Sequence, residues 1–266
     1  MPVIRRLILS LLVLTILNSV KTFAQPESMA LHENKFIQLY SKIGSFIPEK
    51  YDSLIFYSGK FETEFANFIK SNPTSLNYPF KKLVDSIRCN VETSSDGNFR
   101  IYSWDARTGG TMRTFRTIYQ WKSNGKFFAK VPKYDESDPG SFCSKIFTVS
   151  IHDKPYYLAV TNGIYSTKDA MQSISAYSIV GNKLVDTVKL FKTKTKKLNS
   201  IDVGFDFFSV VDRPDRPLEL IVYDDKQKII YIPVVGDKGQ VTKKNILYQL
   251  KDSYFEFIGI ETGMRN

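Results

Sequence analysis

The chain has 266 residues, 42% of them hydrophobic, and 37 basic against 27 acidic residues give it a net charge of +10. This is enough apolar chain to bury a real core, which excludes a disordered tail or a miniprotein held only by disulfides. The only histidines, His32 and His152, stand at no ligand spacing from the only cysteines, Cys89 and Cys143. No metal site and no cofactor are therefore expected.

The N-terminus reads "MPVIRRLILSLLVLTILNSVKTFAQPES". Arg5 and Arg6 form a basic region, Leu7 to Leu17 an apolar run, and Thr22-Phe23-Ala24 puts small residues at a cleavage site. This is the layout of a secretory signal peptide over residues 1–24, with an apolar run too short for a spanning helix. Export to the periplasm of a Gram-negative bacterium or to the exterior is expected, with no transmembrane segment after cleavage. Removing Arg5, Arg6 and Lys21 from the 37 basic residues leaves 34 against 27 acidic, a net of +7. In an oxidising compartment the two cysteines predict one disulfide, Cys89–Cys143.

Residues 25–86 read as helical. Phe36, Leu39, Tyr40, Ile43 and Ile47 recur at helical spacing before Pro48. Leu54, Tyr57, Phe61, Phe65, Phe68 and Ile69 form a second stripe, capped by Asp52 or Ser53 and stopped by Asn72-Pro73. Gly59 weakens it, and a short third helix is expected near Pro79–Asp85. The aromatic stripe is a packing face for the segment that follows.

From residue 87 to 266 the helical period gives way to short β-branched and aromatic runs between turn clusters. Three segments align as strand, polar turn and returning strand: "CNVETSSDGNFRIYSWD", "FTVSIHDKPYYLAVTN" and "FSVVDRPDRPLELIVYD". Each is followed by a tyrosine strand and a glycine turn: "TIYQWKSNGKFFAKV", "SAYSIVGNKLVDTVKL" and "IIYIPVVGDKGQVTKK". The fold expected is mainly β: three consecutive four-stranded antiparallel meanders, at about 87–131, 145–191 and 203–258, in an incomplete propeller-like stack or a curved sandwich. "SSDGNFRIYS" resembles a hairpin of TolB-like propeller proteins, which implies a propeller-type turn and carries no function.

The repeat leaves one connection unexplained, "WDARTGGTM". Trp104 offers a stacking face, Asp105 an acceptor, Arg107 a forked donor, Thr108 and Thr111 hydroxyls, and Gly109 and Gly110 backbone amides. These are the candidate ligand-binding residues. The structural alternative is a loop in which Trp104 is core and the rest shape a turn.

Catalytic signatures are lacking. There is no G-x-S-x-G elbow, no H-E-x-x-H and no phosphate-binding glycine loop. His152-Asp153 reads as a hairpin tip. Asp202, Asp206, Asp212, Asp215, Asp224 and Asp225 cluster in sequence, and a carboxylate pair among them is the route to a glycan hydrolase. Lys192, Lys194 and Lys196 read as one face of an extended edge, and no nucleic-acid partner is expected. The function expected is a non-catalytic binding or interaction module for an envelope glycan, peptide or protein. A secreted glycan hydrolase is the alternative.

Overall fold

A computed structural model describes residues 29–44, 48–135 and 137–263. The expected leader and Ile47 lie outside them. The protein is mainly β, with 44% strand against 22% helix. Three helices come first: α1 over residues 29–41, α2 over Tyr51–Ser71 and α3 over Lys81–Ile87.

The expected apolar stripes are the buried faces. Phe36, Leu39, Tyr40 and Ile43 pack against Leu54, Phe61, Phe65, Phe68 and Ile69. α2 stops at Asn72, whose backbone amide and side-chain Nδ2 both donate to the Phe68 carbonyl. Its start differs from expectation: Lys50 precedes the first turn, and neither Asp52 nor Ser53 caps it. α3 is capped from outside. Buried Glu33 on α1 accepts the Leu83 amide at 2.8 Å through Oε1 and the Tyr78 hydroxyl at 2.9 Å through Oε2. A carboxylate at a first-turn amide satisfies an orphan donor and complements the helix dipole.

The first sheet is the expected meander: β1 (Asn90–Thr93), β2 (Phe99–Asp105), β3 (Phe115–Ser123) and β4 (Lys126–Lys130). The turns follow from local chemistry. Gly97, Asn124 and Gly125 take positive φ, as tight hairpins of the right twist require. The second sheet holds β5 (Phe142–Ile151), β6 (Lys154–Ile164) and β7 (Asp169–Val180), with the short β8 (Lys183–Val185) beside β7. His152 and Asp153 form its first hairpin tip, both at positive φ, as expected.

The third unit departs from expectation. The strand β11 (Ser200–Asp206) pairs with β7 and so joins the second sheet. Phe207–Val210 is a single 3-10 turn, not the start of a hairpin. The third sheet contains β12 (Val222–Asp224), β13 (Ile229–Val235), β14 (Val241–Lys251) and β15 (Tyr254–Thr262) in antiparallel order. Two short strands, β9 (Phe191–Lys192) and β10 (Lys197–Leu198), complete it, and β9 runs parallel to β15 over two residues. That parallel step breaks the strict meander. Residues 193–196 form a tight turn, not an extended lysine face. Lys192 pairs with Glu256 at 2.8 Å, and Lys194 lies over the Phe257 ring.

The layers pack in chain order. Even-numbered β2 residues, Tyr102 and Trp104, face the helices, whereas Phe99 and Ile101 face the second sheet. The other face of the second sheet, with Leu158, Val160 and Ile174, packs on Ile230, Ile232 and Tyr248 of the third. Tyr119 and Tyr177, matched in the sequence alignment, face each other across the first interface with hydroxyls 3.4 Å apart. Equivalent residues of successive propeller blades would point the same way. These two are related by face-to-face apposition instead.

The predicted disulfide is absent. Cys89 and Cys143 are both free and buried, the first in the helix-side core and the second between the first and second sheets. The first sheet thus separates them. Burial pushes both thiols up, which keeps them protonated and unreactive.

Candidate functional site

The 104–112 connection ties the helices to the first sheet. Trp104 is 0% exposed, with the Phe61 and Phe65 rings edge-on to it at 5.3 and 5.8 Å. No ligand can stack on it. Asp105 Oδ1 accepts the Arg107 amide at 2.7 Å, its carbonyl accepts the Tyr40 hydroxyl at 2.7 Å, and Arg113 lies 3.5 Å from Oδ2. Arg107 lies over the Tyr40 ring and donates to the Gly44 carbonyl at 3.0 Å. Ser58 on α2 donates to the Ala106 carbonyl. Gly109 is required because a Cβ there would meet the Met112 carbonyl oxygen at 2.1 Å; Gly110 has open space around it. Thr108 is half-buried, and Gly110 and Thr111 are exposed. The aromatic plane and the forked donor assigned to a ligand are spent on holding the helices to the first sheet. Burial raises the Tyr40 hydroxyl to about 12, against the opposing pull of Arg107, so it stays a donor.

An open cleft lies at the other end of the molecule. It has a volume of about 820 Å³, between the 207–221 connection and the outward-facing side of β13 and β14. Tyr231, Pro233, Thr242, Lys243 and Asn245 line the cleft, while Ile230, Ile232 and Ile246 belong to the core on the other side. A smaller cleft of about 170 Å³ adjoins it, sharing Glu219 and Val222 and reaching Lys145 and Val160 of the second sheet.

The 207–221 connection is irregular, but its polar groups are fixed. Asp206 caps the 3-10 turn, accepting the Phe208 amide at 3.0 Å. Ser209 donates to the Asp206 carbonyl and accepts the Val241 amide. The Arg216 guanidinium donates to the carbonyls of Val211, Arg213 and Asp215. Asp215 takes the Arg213 Nε at 3.0 Å and the Glu219 amide at 2.7 Å. Burial would push the Asp215 carboxyl up, but these donors outweigh it and hold it below the usual carboxylate range. Leu218, Leu220, Val210 and Phe205 form a small core beneath.

Two of the clustered carboxylates, Asp212 and Asp215, therefore share the cleft, joined by Glu219. The others do not converge there. Asp206 pairs with Lys168 at 3.5 Å beside a separate cleft of about 370 Å³, and Asp225 pairs with Lys228 at 2.7 Å. Asp224 accepts the amides of Lys226 and Gln227 in a turn, and Asp202 is exposed on β11. His152 joins two hairpin tips, 3.3 Å from Asp252. Among the described residues no three His, Cys, Asp or Glu side chains gather as metal ligands, and no helix is long and apolar enough to cross a membrane.

Asp212, Glu219 and Lys243 bring charge to the cleft without an ion-pair partner among the described residues. Val222, Pro233 and Leu220 supply apolar wall. An apolar floor with a few placed polar groups suits an organic ligand with hydrogen-bonding substituents. The sequence carries one further signal of this site: Asp212-Arg213-Pro214-Asp215-Arg216-Pro217 is a doubled Asp-Arg-Pro. The expected hairpin puts this run in its turn; in the structure it lies inside a longer irregular connection, since no strand forms between Asp206 and Val222. Comparison with protein-family models finds no family that matches the chain, and comparison with the curated proteins finds no relative.

Proposed function

We propose that the protein is an exported, non-catalytic binding module that takes an envelope glycan, peptide or protein segment in the cleft between the 207–221 connection and the third sheet. The observation that carries this reading is a cleft of about 820 Å³ whose irregular wall is held by side-chain hydrogen bonds rather than left slack. Binding groups on a connection held by a rigid sheet keep their geometry without ordering cost on association. The leader pattern of residues 1–24 supports export. N-terminal sequencing of the secreted or periplasmic protein is expected to begin at Gln25. We take the three sheets as a layered, curved sandwich rather than part of a closed propeller, from the opposed Tyr119 and Tyr177.

A thermal-shift screen against peptidoglycan fragments and neutral oligosaccharides tests the function. A ligand at about 100 times its Kd adds roughly 2.7 kcal/mol to stability. The shift should vanish in the Asp212→Asn, Glu219→Gln double variant and persist in Thr111→Ala. A shift lost in Thr111→Ala and kept in the double variant would move the site back to the 104–112 connection.

A second reading has one observation in its favour: Asp212, Asp215 and Glu219 line the same cleft, as a glycan hydrolase requires of its carboxylates. Release of reducing ends from a bound oligosaccharide, lost in Glu219→Gln, would select it.

A further inference from the structure

We infer that Gln172 is the positioning residue of the cleft: it holds the chain at Leu220 and Ile221 off strand β13 and so keeps the cleft open. Gln172 lies on β7 of the second sheet and is 0% exposed. Its Oε1 accepts two successive backbone amides, Leu220 at 3.1 Å and Ile221 at 2.6 Å. Its Nε2 donates to the Leu218 carbonyl at 2.7 Å and to Asn162 Oδ1 at 2.8 Å.

In an extended strand successive N–H groups point to opposite sides. Two consecutive N–H groups that converge on one oxygen cannot belong to such a strand, so the chain must bend there. Accordingly β12 begins only at Val222, the partner of Tyr231. Continued by register, Ile221 would lie against Ile232 and Leu220 against Pro233, and the cleft would close. Pro233 has no N–H to offer an incoming neighbour, which weakens the competing pairing. Asn162 orients the amide: its Oδ1 takes one Nε2 hydrogen, while its own Nδ2 donates to Ser144 at 2.8 Å. All the polar capacity of the Gln172 side chain is thereby used on one segment, Leu218–Ile221, and on the residue that orients it. The role belongs to the same cleft as the proposed binding function, but its test needs no ligand, so a cleft that binds nothing leaves it standing.

The experiment is hydrogen exchange on the intact protein, residue by residue, with Gln172→Met, which keeps the size and removes both acceptor and donor. Exchange at Leu220 and Ile221 is expected to speed by at least about 10-fold, while Ile174 and Ala176 on the same strand and Tyr102 in the first sheet stay within about 2-fold. The second readout is thiol labelling of Asn245→Cys, informative because both native cysteines are buried. Its rate should fall about 10-fold in the Gln172→Met background as the segment settles on β13. A uniform rise in exchange along β6 and β7 would make Gln172 merely structural and overturn the inference, as would an unchanged labelling rate. If Gln172→Met does not fold, Asn162→Ala removes the orienting acceptor, together with the bond to Ser144, and leaves the Gln172 side chain in place. Exchange at Leu220 and Ile221 then rises about 3-fold, and its failure to rise refutes the role.

Discussion

The first sheet and the β12–β15 part of the third are both antiparallel meanders of four consecutive strands, yet their outer faces meet different fates. The helices cover the first, with Tyr102, Trp104 and Ile118 sealed in the aromatic core. Only an irregular connection folds over the third, and a cleft remains between them. The difference lies in which residues those faces carry. Arg100 on the helix side is buried but satisfied by the carbonyls of Ser75 and Tyr78 and by Thr93, whereas the buried Trp104 Nε1 has no partner among the described residues. The third sheet carries Lys243, Asn245 and Glu261 on its outer side, groups that suit water or a ligand. One end of the stack is sealed by helices and the other carries an open cleft.

Truncation at the two ends should separate them. Trp104→Ala is expected to cost about 3–5 kcal/mol in urea unfolding, from lost contacts and the cavity left; a cost under about 1 kcal/mol would mean that the helices do not seal that face. Next comes Glu33→Ala, which strands the Leu83 amide and the Tyr78 hydroxyl inside the helical layer. It should cost about 2 kcal/mol, and Glu33→Gln should recover part of that loss.

A pH-dependent seam lies between the first and second sheets. Burial raises the Glu92 carboxyl from 4.5 to about 7, more than Lys145 and Arg100 lower it. Because the folded value exceeds the unfolded one, the favourable contribution is complete below about pH 4.5 and is lost as pH rises through about 7. Glu92→Gln should therefore match the parent at about pH 4 and exceed it at about pH 8. With allowance for partial solvent screening the gain is about 1–2 kcal/mol. Equal stabilities at the higher pH would show that Glu92 is solvated.

Smaller effects sharpen the contrast further. Gly59 sits inside α2, and a methyl group added to its Cα would have nothing within 4 Å, so Gly59→Ala should raise stability by about 0.5–1 kcal/mol. At the far end, Asp212→Asn, Glu219→Gln and Lys243→Gln should each change stability by less than about 0.5 kcal/mol. A larger loss at any of the three would show that the cleft wall depends on it.

Much of this fold is legible from local pattern. The two aromatic stripes, the stop at Asn72-Pro73 and the hairpin turns at Gly97, Asn124-Gly125 and His152-Asp153 each depend on neighbours a few residues away. The first sheet follows from them. The 104–112 connection is half legible: Gly109 and Arg107 announce a shaped loop, but nothing local tells whether Trp104 faces a ligand or Phe61. The disulfide fails for a similar reason, since spacing cannot reveal that a sheet separates Cys89 from Cys143. In the third unit "FSVVDRPDRPLELIVYD" shows a hairpin's apolar pattern around a proline-rich turn, and nothing local tells that its first flank is a 3-10 turn instead of a strand.

The sequence by itself determined the elements that short-range physics decides: amphipathic period, turn residues and the alternation that gives each strand two faces. The tertiary structure alone decided partnership. Strand β11 could have opened the third sheet, but Ile201 and Val203 complete the core between the second and third sheets from the second, beside β7. Leu220 and Ile221 could have lengthened β12, but Gln172, 48 and 49 residues earlier, takes their amides instead. Such choices rest on hydrogen bonds and packing between residues far apart in the chain, whose competing partners differ by little in local preference.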